Sequence, residues 1–510
     1  MPGRTGILTA ATSLLPVAAV VASASCVTAG AATRPGHVAP PALAAVIDSV
    51  ISTPPLNRAT WGIAVWDATA GRPIVDYEAG RHFIPASNTK IVVTTAALGV
   101  LGPDYRWETP VFAKMQPGDS VAGEVVVIGR GDPTFSSRFH ADDFTVTDSI
   151  AEQIASSGIR RVGGDLVIDV TFFGDRTING AWEAGDLPWS YAPPIEAFAI
   201  GEATFGVVLT GGAAAGDGVT VETTAGPQGP QGLQPLKTEL ATDTAGARPD
   251  IDVDFMSHVD EVFIRGRVPA GKADTSRLAV TSPARYAGRA IAWALRERGI
   301  RVDGEVLVQR DSARAMQLRE QLYAGYERVA IVRSPPLRDV VAAILRPSQN
   351  WIAEQLLKTL GAEKRGSGGW STGLDVERRW MIDEAGIDST GFFLRDASGL
   401  APQNLLSAAA IVSLLEHART ASWGDLYRDA LPEPGMKEST LENRLLPLRG
   451  RLRAKTGSLT NVSTLSGYLN ADDGRLLIFS IMTNGSGVSQ AAAGRGADRI
   501  VEAIAATRAR

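Results

Sequence analysis

A serine and a lysine at helical spacing are the first residues in this chain that could support covalent catalysis. In Ser87-Asn88-Thr89-Lys90 they stand three residues apart, shortly after Pro85. At the start of a helix this spacing puts both side chains on one face, within reach of each other. A desolvated lysine amine can take the serine proton and so create a nucleophile. The free N–H groups of the helix N-terminus can stabilise an oxyanion.

Two further motifs follow along the chain. Ser348-Gln349-Asn350 matches S-x-N, and Lys455-Thr456-Gly457 matches K-T-G within a predicted strand. Taken singly, each motif has an ordinary alternative: a capping serine with a surface lysine, a second capping serine, or an exposed strand lysine. All three in this order are typical of a penicillin-binding protein or a class A β-lactamase.

The long interval between S-x-x-K and S-x-N separates these two possibilities. A class A β-lactamase has a far shorter interval, whereas this chain resembles the PBP4-type D-alanyl-D-alanine carboxypeptidases/endopeptidases (peptidase family S13, low-molecular-mass class C penicillin-binding proteins). The resemblance covers about residues 40–505. The segments that carry it are residues 85–90, 131–134, 334–337, 353–357, 398–400 and 454–460. The family usually has Asp in the middle of S-x-N, and Gln349 stands here, at a position that is not expected to do chemistry.

The resemblance implies a serine β-lactamase/penicillin-binding-protein transpeptidase-like α/β (α+β) fold with a large β-rich insertion. We predict that residues 35–108 and 323–510 form the catalytic domain, an antiparallel sheet between helices. Residues 109–322 would form the insertion, with a second small domain nested in its first half. The implied enzyme cleaves D-Ala-D-Ala termini or D-Ala cross-links of peptidoglycan stem peptides through an acyl-enzyme. It would also bind β-lactam antibiotics covalently, and no cofactor is implied.

The resemblance also assigns roles to the motif residues. Ser87 would attack the carbonyl of the penultimate D-Ala, with Lys90 as its base. Burial and the nearby charge of Lys455 would lower the pKa of Lys90. Ser348 would relay a proton to the leaving amine, and Asn350 would hold Lys90 and the substrate amide.

Substrate binding is assigned to the K-T-G motif and the residue after it. Lys455 and Thr456 would bind the terminal carboxylate. The N–H groups of Ser87 and Ser458, on either side of Gly457, would form the oxyanion hole. None of these steps needs a metal.

An acidic residue of the insertion and an arginine after S-G-L often bind the stem-peptide side chain in this family. The acidic candidate is Asp186, with Trp189 and Tyr191 as pocket walls. The equally weighted alternative is a turn aspartate before a proline. Ala401 and Pro402 stand where the arginine would be. We therefore expect preference for a side-chain amine and weak discrimination for the adjacent carboxylate.

Composition excludes several other classes of protein. The 510 residues include 50 Lys and Arg against 55 Asp and Glu, an imbalance too small and of the wrong sign for a nucleic-acid-binding protein. A single cysteine, Cys26, excludes a disulfide framework and a thiolate metal cluster. Five scattered histidines without H-E-x-x-H argue against a zinc hydrolase.

The N-terminus has the pattern of an export signal. Residues 5–33 carry no charge, follow Arg4, and combine an apolar run with small-residue cleavage sites, so residues 1–31 are predicted to be a signal peptide. An uncleaved anchor and a lipidated Cys26 are the alternatives. No later apolar run is long enough to span a bilayer. The mature protein is therefore expected to be periplasmic or otherwise extracytoplasmic.

Local patterns predict the elements around the motifs. We expect a linker over residues 34–45, a hairpin over 61–77 and a helix from 85 to Gly102. Near the C-terminus we expect strands at 451–455, 462–469 and 476–482, then a helix over 497–506. The block 109–322 is rich in strand and turn patterns.

Competing functional assignments remain at this point. Gly369-Trp370-Ser371-Thr372-Gly373 matches a G-x-S-x-G nucleophile elbow, but no strand precedes it and His417 lies in a predicted helix, so we interpret the match as chance. A β-lactamase or esterase on the same scaffold, and a non-catalytic cell-wall binding protein, are the alternative functions. The sequence leaves open the balance of carboxypeptidase and endopeptidase activity, the oligomeric state and the protein partners.

Overall fold

The computed structural model describes residues 39–115, 120–174, 176–223, 233–256, 260–485 and 487–508. The predicted signal peptide over residues 1–31, with Cys26, lies outside these described residues. Within them, no helix combines the length and the apolar character needed to cross a membrane.

Helices and strands alternate irregularly along the chain. The helices are α1 Pro41–Ser52, α2 Thr89–Leu101, α3 Thr145–Ser156, α4 Pro283–Glu297, α5 Ser312–Gly325, α6 Leu337–Leu345, α7 Asn350–Arg365, α8 Trp370–Asp383, α9 Ala408–Thr420, α10 Gly424–Ala430 and α11 Gln490–Ala505. The first strands are β1 Thr60–Asp67, β2 Arg72–Tyr77, β3 His82–Phe83, β4 Glu108–Met115, β5 Val121–Ile128, β6 Arg161–Val162, β7 Leu166–Asp169, β8 Thr204–Thr210, β9 Thr220–Thr223, β10 Leu236–Asp243 and β11 Asp250–Met256. The remaining strands are β12 Glu261–Pro269, β13 Ala273–Ala279, β14 Arg301–Val302, β15 Val306–Gln309, β16 Glu327–Arg333, β17 Phe392–Phe393, β18 Leu405–Ser407, β19 Leu452–Leu459, β20 Val462–Asn470 and β21 Leu476–Asn484.

A five-stranded antiparallel sheet joins the two ends of the chain, in the order β19-β20-β21-β1-β2. Its interior strand β20, second from the edge, is buried along all but its last residue, as expected for a strand covered on both faces. Ile47 and Ile500, on α1 and α11, belong to the core on one face. Ile91 and Leu415, on α2 and α9, belong to the core on the other. The predicted hairpin, the three C-terminal strands and the helix-covered sheet are confirmed.

Helix α2 lies in the middle of the larger core. Its residues 89–98 are all buried, so other elements cover this part of the helix on every side. It ends at Gly102, whose φ of +83° suits glycine at a helix C-terminus. A short 3-10 turn, Ala86–Asn88, precedes the helix, so Ser87 lies just before its first full turn.

Two terminal helices differ from their predicted bounds. Helix α1 begins at Pro41, inside the predicted linker, because proline at the first helical position is compatible with a helix and the following residues place Leu43 and Ile47 in the core. Helix α11 begins at Gln490 rather than 497, since the side chain of Ser489 accepts a hydrogen bond from the N–H of Ala492 and caps it.

The inserted block is β-rich, as predicted, but its largest sheet runs past the predicted limits. That sheet contains β4, β5, β6, β7, β14, β15 and β16, and its edge strand β16 pairs with β4 beyond residue 322. Helices α3 and α4 also belong to the block, contrary to its strand-like pattern. The reason is that β5 and β7, and then β7 and β15, are parallel pairs, which need long crossover connections.

The block also contains two smaller three-stranded sheets. They are formed by β8, β9 and β13 and by β10, β11 and β12, all within residues 204–279. This is mostly the second half of the block, whereas the nested domain was predicted in its first half. In the first half, β4, β5, β6 and β7 join the large sheet, whereas β8 belongs to one of the small sheets. The division into separate domains stays a prediction.

Candidate active site

The predicted nucleophile and base are in direct contact. The Nζ atom of Lys90 donates a hydrogen bond to the Oγ of Ser87 at 2.9 Å. Ser87 is half-buried in the turn before α2, and Lys90 is fully buried in the first turn of that helix. The helix start therefore brings the serine to a cavity while it removes the lysine from water.

Lys90 has three hydrogen-bond acceptors around its amine. Besides Ser87, these are the Oδ1 of Asn350 at 2.7 Å and the carbonyl oxygen of Ser398 at 2.6 Å. They match the three donors of an ammonium group. Burial lowers the pKa of Lys90 to about 7, and the charges of Asp396 and Glu354 oppose the shift. A substantial neutral fraction, able to accept a proton, is therefore present near neutral pH.

Burial lowers the pKa of Lys90, as predicted, and the predicted repulsion between the two lysines is evident in the pKa of Lys455. Burial lowers the pKa of Lys455 well below its usual value, and the charge of Lys90 lowers it further. Asp396 and Glu354 are the charges that act on Lys90. The two lysines thus differ in their surroundings, because the buried carboxylates favour the charged form of Lys90.

The S-x-N segment connects both lysines. The Nζ of Lys455 donates to the Oγ of Ser348 at 2.8 Å, and Ser348 has a φ of +65°, in the left-handed region. Asn350 begins α7 and donates from its Nδ2 to the carbonyl oxygen of Tyr191 at 2.8 Å. One end of the Asn350 amide thus holds Lys90 and the other holds a segment of the inserted block.

The K-T-G motif lies on β19, the edge strand of the five-stranded sheet. Lys455 and Thr456 are buried, whereas Ser458 is exposed. A Cβ atom on Gly457 would lie only 3.0 Å from the backbone nitrogen of Ser87 and 2.2 Å from the Oγ1 of Thr464. Glycine at this position therefore allows β19 to approach the turn that carries the nucleophile.

One cavity of about 460 Å³ contains the predicted site. Ser87, Asn350 and Ser458 line it, and Asp186 and Pro402 line it as well. The structure therefore brings the candidate side-chain pocket to the same cavity as the nucleophile. A cavity of this size accommodates a small peptide end.

The walls predicted around Asp186 are partly different. Tyr191 lines the cavity and donates from its hydroxyl to the Oδ1 of Asp186 at 2.9 Å. Burial and the Asp186 carboxylate raise the pKa of Tyr191 to about 12. Trp189 instead forms a backbone bridge with Leu278. Glu183, which was not predicted, is a second acidic residue on the cavity wall.

Comparison with known proteins shows the family of this chain. The chain matches the D-Ala-D-Ala carboxypeptidase 3 (S13) family over residues 43–507.

The chain belongs to this family.

It is therefore a serine-type D-Ala-D-Ala carboxypeptidase by class. It is 32% identical to a D-alanyl-D-alanine carboxypeptidase of Actinomadura sp. (strain R39), over 86% of this chain and 80% of the relative. It is 26% identical to the D-alanyl-D-alanine carboxypeptidase DacB of Haemophilus influenzae, over 81% and 82% of the two chains.

A solved structure shows the same fold. Penicillin binding protein 4 (dacB) from Haemophilus influenzae superposes with a TM-score of 0.77, at 21% identity, over 90% of this chain and 99% of that one. The predicted fold class, with its large insertion, is confirmed for this S13 enzyme by the superposition.

Two buried carboxylates of this S13 enzyme were not assigned a role from the sequence. Glu354 lies one turn after Asn350 on α7 and accepts hydrogen bonds from the N–H of Ser398 at 2.7 Å and from the Nε1 of Trp370 at 2.7 Å. Residues 353–357 were recognised as a family segment. A glutamate one helical turn after Asn350 was the available signal.

Asp396 holds the same loop from its other side. It accepts hydrogen bonds from the N–H groups of Gly399 at 2.9 Å and Ala401 at 2.7 Å, and from the Nε1 of Trp182 at 3.0 Å. The loop that follows carries the Ser398 carbonyl oxygen bonded to Lys90. Asp396 and Glu354 thus position a hydrogen-bond acceptor of Lys90 from fully buried sites.

The G-x-S-x-G match has no place in this site. Ser371 is exposed in the first turn of α8, and Thr372 caps that helix. A Cβ on Gly373 would lie 2.3 Å from the carbonyl oxygen of Leu357, so this glycine allows α8 to pack on α7. The second glycine of the match thus has a packing role.

Proposed function

We propose that this enzyme removes the terminal D-Ala of peptidoglycan stem peptides through an acyl-enzyme on Ser87. The observation that carries the proposal is the buried amine of Lys90, which contacts both the Ser87 hydroxyl and Asn350 and has a pKa of about 7. A base of that pKa is well matched to neutral pH. The family and its relatives support the same reaction class.

Acylation begins with proton transfer from Ser87 to neutral Lys90. The Oγ of Ser87 then forms a bond with the carbonyl carbon of the penultimate D-Ala, and negative charge moves to the carbonyl oxygen. The N–H groups of Ser87 and Ser458 accommodate that charge. The close approach of β19 to the Ser87 turn at Gly457 supports this pairing.

Collapse of the tetrahedral intermediate breaks the peptide bond. Ser348 gives its proton to the leaving nitrogen, and Lys455, which donates to the Ser348 hydroxyl at 2.8 Å, replaces that proton. Thr456 and the charge of Lys455 hold the terminal carboxylate. Once D-Ala has left, the proton that Lys90 took from Ser87 passes through solvent to Lys455, so Lys90 is neutral again and Lys455 is charged. A water molecule then attacks the ester carbon with Lys90 as base, and Lys90 passes this proton to the Ser87 oxygen as the ester bond breaks and the shortened peptide leaves.

Side-chain recognition falls to the acidic wall of the cavity. Asp186 and Glu183 would bind an ammonium group on the third residue of the stem peptide, and Pro402 offers no charge for an adjacent carboxylate. Export by a signal peptide over residues 1–31 would place the enzyme with its substrate outside the cytoplasm.

β-Lactam antibiotics would acylate the same serine. A related penicillin binding protein 4 structure contains a bound β-lactam. Slow release of the acyl group would separate this enzyme from a β-lactamase on the same scaffold, which would hydrolyse it quickly.

The test is incubation with purified muropeptides followed by mass analysis. We expect loss of one D-Ala, and Ser87→Ala should abolish the loss. Cleavage that survives in Ser87→Ala would refute the proposed nucleophile, and an unchanged muropeptide mixture with the native protein would refute the proposed substrate.

A further inference from the structure

Gln349, the middle residue of S-x-N, joins the catalytic segment to the inserted block. Its Oε1 accepts a hydrogen bond from the N–H of Ile352 at 2.9 Å and so caps α7. Its Nε2 donates to the Oε2 of Glu202 at 2.6 Å. The two neighbours of Gln349 are Ser348 and Asn350, which contact the two lysines of the site.

Glu202 is itself held on both carboxylate oxygens. Arg138 donates from Nε to Oε1 at 2.6 Å and from Nη2 to Oε2 at 3.2 Å. The Glu202 side chain is 15% exposed, so water competes only weakly for this pair. An arginine that binds both oxygens also orients the carboxylate.

The hydrogen bond between Gln349 and Glu202, called the link below, lies between two residues with an unfavourable backbone conformation. Glu202 has a φ of +57° and Ser348 a φ of +65°, a region that residues with a Cβ rarely adopt. Such conformations persist only where surrounding contacts hold them, and they concentrate at functional sites. Gln349 connects these two residues: it follows Ser348 in the chain, and its side chain donates a hydrogen bond to Glu202.

We propose that Gln349 and Glu202 are positioning residues for acylation. They hold the backbone of the S-x-N segment so that Ser348 meets Lys455 and Asn350 meets Lys90. The proposal deepens the mechanism above and rests on its assignment of Ser87, although Gln349 touches no reacting group.

As long as position 202 carries a carboxylate, the hydrogen bonds of the 349 side chain require an amide there. One atom must accept the helix-capping N–H and another must donate to a carboxylate, and glutamine has both at the required reach. A glutamate there keeps the cap but faces Glu202 with a like charge. Glu202→Gln removes that repulsion and supplies a donor, so the double substitution exchanges the two groups and re-forms a hydrogen bond.

The experiment measures acylation of Ser87 by a fluorescent penicillin in the full-length protein, after normalisation to the fraction of protein that can be labelled. Because a shift of about 1 Å in a catalytic group can cost about 100-fold in rate, we expect Gln349→Glu to lower the acylation rate constant about 10- to 100-fold. Gln349 does not line the cavity that contains Ser87, so the constant for reversible binding should change less than about threefold.

The exchanged double variant, Gln349→Glu with Glu202→Gln, should recover to within about fivefold of the native rate constant. Glu438→Gln is the matched control, because exposed Glu438 lines the same polar pocket as Glu202 and Gln349. It should acylate at the native rate.

The outcomes separate this inference from the proposed mechanism. A double variant no faster than Gln349→Glu, or a single variant with a native rate constant, would overturn the positioning role. Native protein that labels at a residue other than Ser87, tested with Ser87→Ala, would overturn the mechanism instead. A change in melting temperature without a change in the normalised rate constant would show that the link is only structural, and would also overturn the proposal.

Discussion

Replacing Glu354 by glutamine should shift the pH dependence of acylation to lower pH. Lys90 has to be neutral to accept the serine proton, so the acylation rate rises with pH through the Lys90 pKa of about 7. The Glu354 carboxylate favours the charged form of Lys90 and thus raises this pKa. Removing the carboxylate charge lets the pKa fall further, and the rising limb of the profile moves down.

The size of the shift follows from the geometry. Glu354 accepts from the N–H of Ser398 at 2.7 Å, and the carbonyl oxygen of Ser398 accepts from Lys90 at 2.6 Å, so one residue and two hydrogen bonds separate the charges. At roughly 8 Å and an effective dielectric constant of about 20, a full charge contributes about 2 kcal/mol, or about 1.5 pKa units. Burial and Asp396 raise the pKa of Glu354 itself to about 7. At pH 7 the Glu354 carboxyl is therefore charged about half the time, and we expect Glu354→Gln to lower the pKa of Lys90 by about half of this amount, about 0.7.

The assay is the rate constant of penicillin acylation between pH 5 and 9, normalised to the labelled fraction. Glu354→Gln also removes a hydrogen-bond acceptor for Ser398 or Trp370, which should lower the free energy of unfolding by about 1–3 kcal/mol. Normalisation to the labelled fraction corrects for any protein that this loss unfolds. Glu377→Gln is the control: Glu377 is buried, and burial and the charges of Glu354 and Asp396 raise its pKa well above the usual value, which favours its neutral form. An unmoved midpoint in Glu354→Gln, or an equal shift in Glu377→Gln, would refute the reasoning.

Three further changes test other parts of the site. Ser87→Ala should abolish covalent penicillin labelling with an unchanged melting temperature, measured by gel fluorescence and thermal unfolding; label that persists on the variant would contradict the assignment. Gly399→Ala should lower acylation at least about 100-fold, because Gly399 has a φ of +81° and a Cβ there would lie 1.8 Å from the carbonyl oxygen of Ala86; a native rate constant would show that the loop tolerates the displacement. Asp186→Asn should weaken binding of peptides with a side-chain amine by about 1.5–3 kcal/mol, measured with diaminopimelate, amidated diaminopimelate and lysine at the third position. If the native protein strongly prefers the unamidated diaminopimelate, a cation elsewhere in the site binds the carboxylate, and the argument from Pro402 is wrong.

The elements next to the motifs were predictable because their patterns are local. The hairpin over 61–77 and the strands β19, β20 and β21 alternate or run apolar over short lengths between clear turns, and Gly102 marks the end of α2. Start positions were less accurate where one capping contact decides them, as at Ser489. The helices and parallel strand pairs of the inserted block were not predicted for a different reason: parallel pairing of β5 with β7 across α3 leaves no local pattern in the sequence.

In the candidate active site, too, contacts between sequence neighbours were predictable and contacts between distant residues were not. Ser87 and Lys90 are neighbours in sequence, so their contact follows from helix geometry alone. The contacts of Asn350 with Tyr191 and of Gln349 with Glu202 join residues about 150 positions apart, and a single amide or carbonyl leaves no periodic signal in the chain. For that reason the sequence did not predict hydrogen bonds between the inserted block and the S-x-N segment. In the structure it supplies hydrogen-bond partners to two of the three S-x-N residues, so acylation should respond to substitutions well outside the three motifs.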